Sequence, residues 1–159
     1  MRKVALIVMM LCWPVCANAG TEYFPNCEFS CYFPGSPDYK KAYVGKQTII
    51  QKQLYPSDTT LLKAECIQFK PSSEGELVNL LNTQAISSNI RAPSISIARE
   101  NNFKVGIYSG NVSVAGYNVK LHGKLIVGHS STLHLIVIED ISKFPSKFAV
   151  NFFDSYKLK

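Results

Sequence analysis

The chain has 159 residues, 47% hydrophobic and 18% charged, and 17 Lys and Arg against 11 Asp and Glu leave a net charge of +6. That length suits a single domain with a sizeable core. The cations, among them Lys40, Lys52, Lys63, Arg91, Lys120, Lys147 and Lys159, are scattered rather than blocked, which excludes the one-sided basic footprint of a nucleic-acid binder.

Residues 1–19 read as a secretory signal. Arg2 and Lys3 give the positive start, residues 4–16 the apolar run, and Ala17-Asn18-Ala19 the small-x-small cleavage site. A membrane anchor needs about 20 apolar residues, and Pro14 breaks a run already shorter than that. Neither Cys12 nor Cys16 follows the small residue that lipid attachment requires. The expected location is therefore the bacterial periplasm or the outside of the cell. Losing Arg2 and Lys3 takes the cations from 17 to 15 against 11 acids, a net +4, which supports only weak attraction to an anionic envelope surface. Residues 20–159 are expected to form one α+β domain, opened by an aromatic, Cys-containing segment over 20–45.

Export leaves Cys27, Cys31 and Cys66, so one disulfide and one thiol are expected in an oxidising compartment. The preferred pairing joins Cys66, on a predicted strand, to Cys27 or Cys31, which ties the aromatic segment to the sheet. A local Cys27–Cys31 bridge is the alternative. As metal ligands the three lack a second close pair.

In residues 20–36 the rings of Tyr23, Phe24, Phe29, Tyr32 and Phe33 interleave with Pro25, Pro34 and Gly35. Either the segment is an arm whose rings cover a sheet edge or helix seam, the preferred reading, or these five aromatics form a partner-binding patch. Residues 46–54 (KQTIIQKQL) and 62–69 (LKAECIQF) read as strands, the first ended by Pro56-Ser57-Asp58. Ser73 with Glu76 makes a capping-box signature for a helix over 74–83, whose leucines are core. Residues 85–94 read as a loop. Strands follow over 95–99, 103–109, 112–115 and 117–127, with turns at Asn101-Asn102, Ser109-Gly110-Asn111, Gly116 and residues 128–131. The result is an antiparallel meander.

Residues 132–139 (TLHLIVIE) have the length and apolarity of a buried strand. Pro145 suits a first helical position, and Ala149, Phe152, Phe153 and Tyr156, widened by Phe148 and Val150, make an apolar stripe that must dock on the sheet. This order of apolar strand, Lys143-Phe144-Pro145-Ser146-Lys147-Phe148 connection and Phe152-Phe153-Asp154-Ser155-Tyr156-Lys157-Leu158 ending resembles the C-terminal third of small exported PsbP/Mog1-like proteins. The resemblance implies an antiparallel sheet flanked by helices and non-catalytic binding or assembly roles. It carries over no functional residue.

Catalytic chemistry finds no foothold. The sequence has no Gly-x-Ser-x-Gly elbow, no His-Glu-x-x-His and no phosphate loop. Alternation puts His122 on a solvent face with Lys120 and Lys124 and makes His134 a core histidine. A tight turn pairs residue 134 with about 125, so His122, His129 and His134 do not converge on a metal. Glu139 and Asp140 point to opposite faces and serve best to end the strand and precede the helix. Asn111-Val112-Ser113 is taken as a chance glycosylation sequon.

No catalytic residue, cofactor or metal site is expected. The role that fits is an exported binding protein whose partner is another protein, with an inhibitor or immunity-type partner as a special case. A carrier with Phe24, Phe29, Tyr32, Phe103 and Tyr108 around a closed apolar cavity is the second reading, and an enzyme with an unrecognised site the third.

Overall fold

Two sheets packed with two helices form the framework in a computed structural model that describes residues 19–44 and 47–159. The predicted signal segment up to residue 18 lies outside the described residues. The strands are β1 (Gly20–Tyr23), β2 (Phe29–Phe33), β3 (Asp38–Val44), β4 (Gln47–Ser57), β5 (Thr60–Ile67), β6 (Ser94–Glu100), β7 (Phe103–Val114), β8 (Tyr117–Val127), β9 (Thr132–Asp140) and β10 (Lys157–Leu158). The helices are α1 (Glu74–Ser87) and α2 (Lys147–Phe153). The fold is α+β, with a mid-chain and a C-terminal helix on antiparallel sheet.

A seven-stranded sheet runs in the order β3-β4-β5-β9-β8-β7-β6, and β1-β2-β10 form a second, three-stranded one. Both faces of the large sheet are covered. On the inner face the small sheet and α2 bury Phe24, Phe29, Phe33, Phe152 and Tyr156 against Leu62, Ala64, Val105, Ile126, Leu133, Leu135 and Val137. On the other face α1 buries Leu77, Leu81 and Ala85, spaced one helical turn apart, against Tyr108, Leu121, Leu125 and Ile136. Two covered faces explain why residues 123–127 of β8 and 132–137 of β9 are buried at every position.

Local chemistry starts and stops the elements. The Ser73 side chain accepts the Glu76 N–H at α1, while the Glu76 carboxylate takes the Ser72 N–H rather than that of Ser73, a capping box displaced by one residue. The helix runs to Ser87, past the predicted end at residue 83, and Asn89 in the left-handed region closes it. Asn101-Asn102 and Ala115-Gly116 have positive φ at both positions, as two-residue hairpin turns with the sheet's twist require.

Four expectations are corrected. Ser109-Gly110-Asn111 is no turn but the middle of the unbroken β7. Glycine stands there because a Cβ would lie 2.1 Å from Cγ2 of Ile90; the α1–β6 connection packs where a side chain would be. Pro145 does not open α2: Ser146 is the N-cap and accepts the Ala149 N–H. Phe148 and Val150 are exposed rather than part of the docked stripe. Residues 20–36, whose Phe24, Phe29 and Phe33 do cover the sheet, are not an irregular arm: they supply β1 and β2, and Lys157–Leu158 return to pair with Ser30 and Phe29 of β2.

Candidate functional site

Cys27 is bonded to Cys66, so the preferred pairing holds in one of its two forms and the local Cys27–Cys31 bridge does not form. The thiol is Cys31, buried on β2. Burial is the main cause that pushes its pKa up to about 12, with Lys52 opposing and Glu22 adding. A second tie lies beside the disulfide. The Glu28 carboxylate accepts the N–H groups of Ser130 and Ser131 at 2.9 and 3.0 Å, in the turn between β8 and β9. Burial pushes that carboxyl up, but the donors of Ser130, His129 and Ser131 outweigh it and hold it below the usual range.

The five-aromatic patch does not exist as a surface. Phe24, Phe29 and Phe33 are completely buried, while Tyr23 and Tyr32 stay 59% and 39% exposed. Phe29, Cys31 and Phe33 alternate along β2, so they share the face turned to the core. Nor do the proposed cavity residues meet: Phe24, Phe29 and Phe103 pack in the inner core, and Tyr108 lies on the opposite face of the large sheet. The closed-cavity carrier loses its lining.

His122 and His134 also sit on opposite faces. His122 is half-buried between the rings of Phe144 and Phe153, 5.7 and 4.9 Å away, not in solvent. Burial, then Lys120 and Lys124, keep its pKa low. Lys124, expected to be solvated beside it, is 5% exposed; it pairs with Glu100, donates to the Phe153 carbonyl and lies over the Tyr156 ring. Alternation along β8 holds, but α2 and the strand-like C-terminus cover the face expected to be wet. Leu125 pairs with His134, as the tight turn requires.

His134 is fully buried, its Nε2 2.9 Å from the Tyr108 hydroxyl; its Nδ1 lies 3.5 Å from Glu65, close enough for charge to act between them, but has no hydrogen-bond partner. Burial raises the Glu65 carboxyl, but His134 and Lys63 overcome it and hold the pKa down at about 2. Gln51 donates to the other Glu65 oxygen at 2.8 Å. This chain of Tyr108, His134 and Glu65 is sealed from solvent and therefore orders the sheet rather than meeting a ligand. Glu139 is likewise spent internally, accepting from Thr60, the Ser146 N–H and the Ser146 hydroxyl. Among the described residues no group of three His, Cys, Asp or Glu is placed to hold a metal.

The accessible feature is an apolar concavity of 580 Å3 at the end of the sheet that α1 leaves uncovered. Its floor is Leu61, Val119 and Ile138, from the neighbouring strands β5, β8 and β9; its walls are Tyr55, Val114 and Tyr117, and Asp58 and Asp140 stand on its rim. Tyr55 reaches it by simple alternation: Leu54 pairs with Leu62 and both pack in the inner core, so Tyr55 faces the same side as Leu61. Tyr55, Val114 and Tyr117 are 61%, 52% and 75% exposed. None of these residues stood out in the sequence; the one available signal was a tyrosine beside a proline at a strand end and another at a Gly116 turn.

No protein-family model matches the chain, and no curated protein matches it. Solved structures do. A protein from Bacteroides thetaiotaomicron VPI-5482 superposes with a TM-score of 0.54 at 10% identity over 83% of this chain, which spans only 45% of that protein's length. A Pseudomonas aeruginosa protein of unknown function superposes with a TM-score of 0.46 at 7% identity, over 80% of this chain and 86% of that one. The likeness to the Bacteroides protein is one of fold.

Proposed function

We propose that this is an exported, non-catalytic binding protein of the bacterial periplasm or cell exterior that docks another protein on the open apolar end of its large sheet. The observation that carries the reading is the concavity formed by Tyr55, Leu61, Val114, Tyr117, Val119 and Ile138. Contiguous exposed apolar surface costs solubility and is kept where something covers it, and tyrosines are favoured at such contacts because each offers a large apolar body and a polar tip. Export rests on the signal-like residues 1–19 and agrees with the Cys27–Cys66 disulfide, which a reducing cytosol would not keep. Among the described residues no helix is long and apolar enough to cross a membrane. An inhibitor or immunity-type relation to the partner, and kinship with PsbP/Mog1-like proteins, belong to the same proposal.

The test is affinity capture from envelope and culture fluid with the wild type and with Tyr55→Ser/Tyr117→Ser, both checked for equal unfolding temperature. A protein retained by the wild type and lost with the double variant is expected. Identical recovery by the two baits overturns the reading.

A further inference from the structure

At the opposite end of the large sheet, the turn between β6 and β7, the turn between β8 and β9, the loop before α1 and the last residues enclose a second concavity, of 490 Å3. Lys70, Arg99, Lys104 and His129 line it, its apolar wall includes Phe103 and Leu158, and no carboxylate is part of the lining. Arg99 and Lys104 are direct partners across β6 and β7, and like charges placed opposite one another in a ladder destabilise it. Among the described residues the ion pairs are Lys52–Glu22, Lys63–Glu65, Lys124–Glu100 and His134–Glu65, none of which reaches this cluster. Of the acids near it in the chain, Glu74 is not part of the lining, Glu76 is committed to the N–H and hydroxyl of Ser72, Glu100 to Lys124, and Glu28 to the N–H groups of Ser130 and Ser131. A folded chain that keeps a repulsive pair without compensation points to a compensating ligand.

We propose that this concavity binds a phosphate ester, its anionic head held by Lys70, Arg99 and Lys104 and its apolar flank resting on Phe103 and Leu158. Three cations suit a dianionic head better than a single carboxylate; the guanidinium of Arg99 offers a planar fork for two phosphate oxygens, and the lysines add point charges. The chemistry is shared by an anionic lipid headgroup and by a free phosphorylated molecule, and the two are separable by experiment.

The folded protein is titrated calorimetrically with octyl phosphate and, separately, sedimented with vesicles of phosphatidic acid in phosphatidylcholine, with pure phosphatidylcholine as the blank. Binding in at least one arm is expected, weakened about tenfold or more by Arg99→Gln/Lys104→Gln and unchanged by Arg91→Gln/Lys147→Gln, which removes the same charge elsewhere. Vesicles alone identify a lipid head; octyl phosphate, with or without vesicles, identifies the ester itself. Lys70→Gln, on a loop outside any ladder, repeats the test without touching a strand pair. No binding in either arm, or equal weakening by the two double variants, overturns the proposal.

Discussion

Tyr108 occupies the space above Gly123, its partner across β7 and β8: a Cβ at residue 123 would fall 2.1 Å from Cε1 of the ring and 2.2 Å from Cζ. The ring is fully buried, so it has nowhere to retreat. Gly123→Ala is expected to cost about 1–3 kcal/mol through overpacking. Gly20→Ala, with nothing within 4 Å of its new methyl, is the matched control. Chemical denaturation of the two variants checks this, and equal midpoints would refute the packing account.

The same ring delivers its hydroxyl to His134. Tyr108→Phe leaves Nε2 of a fully buried imidazole without a partner beside an Nδ1 that already lacks one, which costs about 1–3 kcal/mol. Adding His134→Leu to Tyr108→Phe removes both orphaned nitrogens and is expected to recover part of the loss. A double-mutant cycle measures the difference.

Glu65 makes this region sensitive to acid. Its pKa of about 2 lies below the ordinary 4.5 because His134 and Lys63 outweigh burial. A carboxyl depressed in the folded state stabilises fully above its unfolded pKa and ceases to do so as pH falls through the folded one. The stability gap between the wild type and Glu65→Gln is therefore expected to be constant near neutrality and to close between about pH 4.5 and 2. Urea titrations across that range decide; a gap that stays constant to pH 2 would be the contrary result.

How much of this was readable follows from which features are local. Period and turn chemistry gave β8, β9 and their register, because Gly128 to Ser131 leaves little choice and Leu125 must then meet His134. They also gave α1, whose leucines repeat at one helical turn. Gly110 misled, since a glycine needed for the close approach of Ile90 looks the same in sequence as one needed for a turn. Alternation assigned His122 and Lys124 to one face correctly but could not reveal that α2 covers it. Phe29, Cys31 and Phe33 did carry a two-residue period, obscured by the prolines around them. The open concavity depends on how far α1 reaches across seven strands, which no single segment encodes.

Cys31 should be chemically silent. A buried thiol whose pKa is pushed up to about 12 presents almost no thiolate at neutral pH. Iodoacetamide at pH 8 followed by peptide mass mapping is expected to leave Cys31 unmodified in the folded protein and label it in denaturant. Cys27→Ala/Cys66→Ala is expected to cost about 2–5 kcal/mol, because the bridge closes a loop with a sequence separation of 39 and fastens the small sheet over the inner core. Rapid native labelling, or a variant as stable as the wild type, would contradict this account.

Lys124 and Glu100 distinguish the presence of a buried charge from its usefulness. The ammonium, only 6% exposed in its side chain, meets a Glu100 side chain that is 35% exposed, so solvent weakens their attraction while the lysine bears most of the desolvation. Its ammonium donates to the Phe153 carbonyl and lies over the Tyr156 ring, and Ile107 is its partner across β7 and β8. Lys124→Met keeps the side-chain volume and removes the charge, and is expected to change stability by less than about 1 kcal/mol or to raise it. Glu100→Ala keeps the buried cation but removes its counter-charge and the acceptor of the Tyr156 hydroxyl; a loss of about 1–3 kcal/mol is expected, the partial exposure of Glu100 holding it below the full cost of a buried ion. Thermal unfolding of the two variants side by side measures the asymmetry. Greater damage from Lys124→Met would mean that the ion pair itself stabilises the inner core.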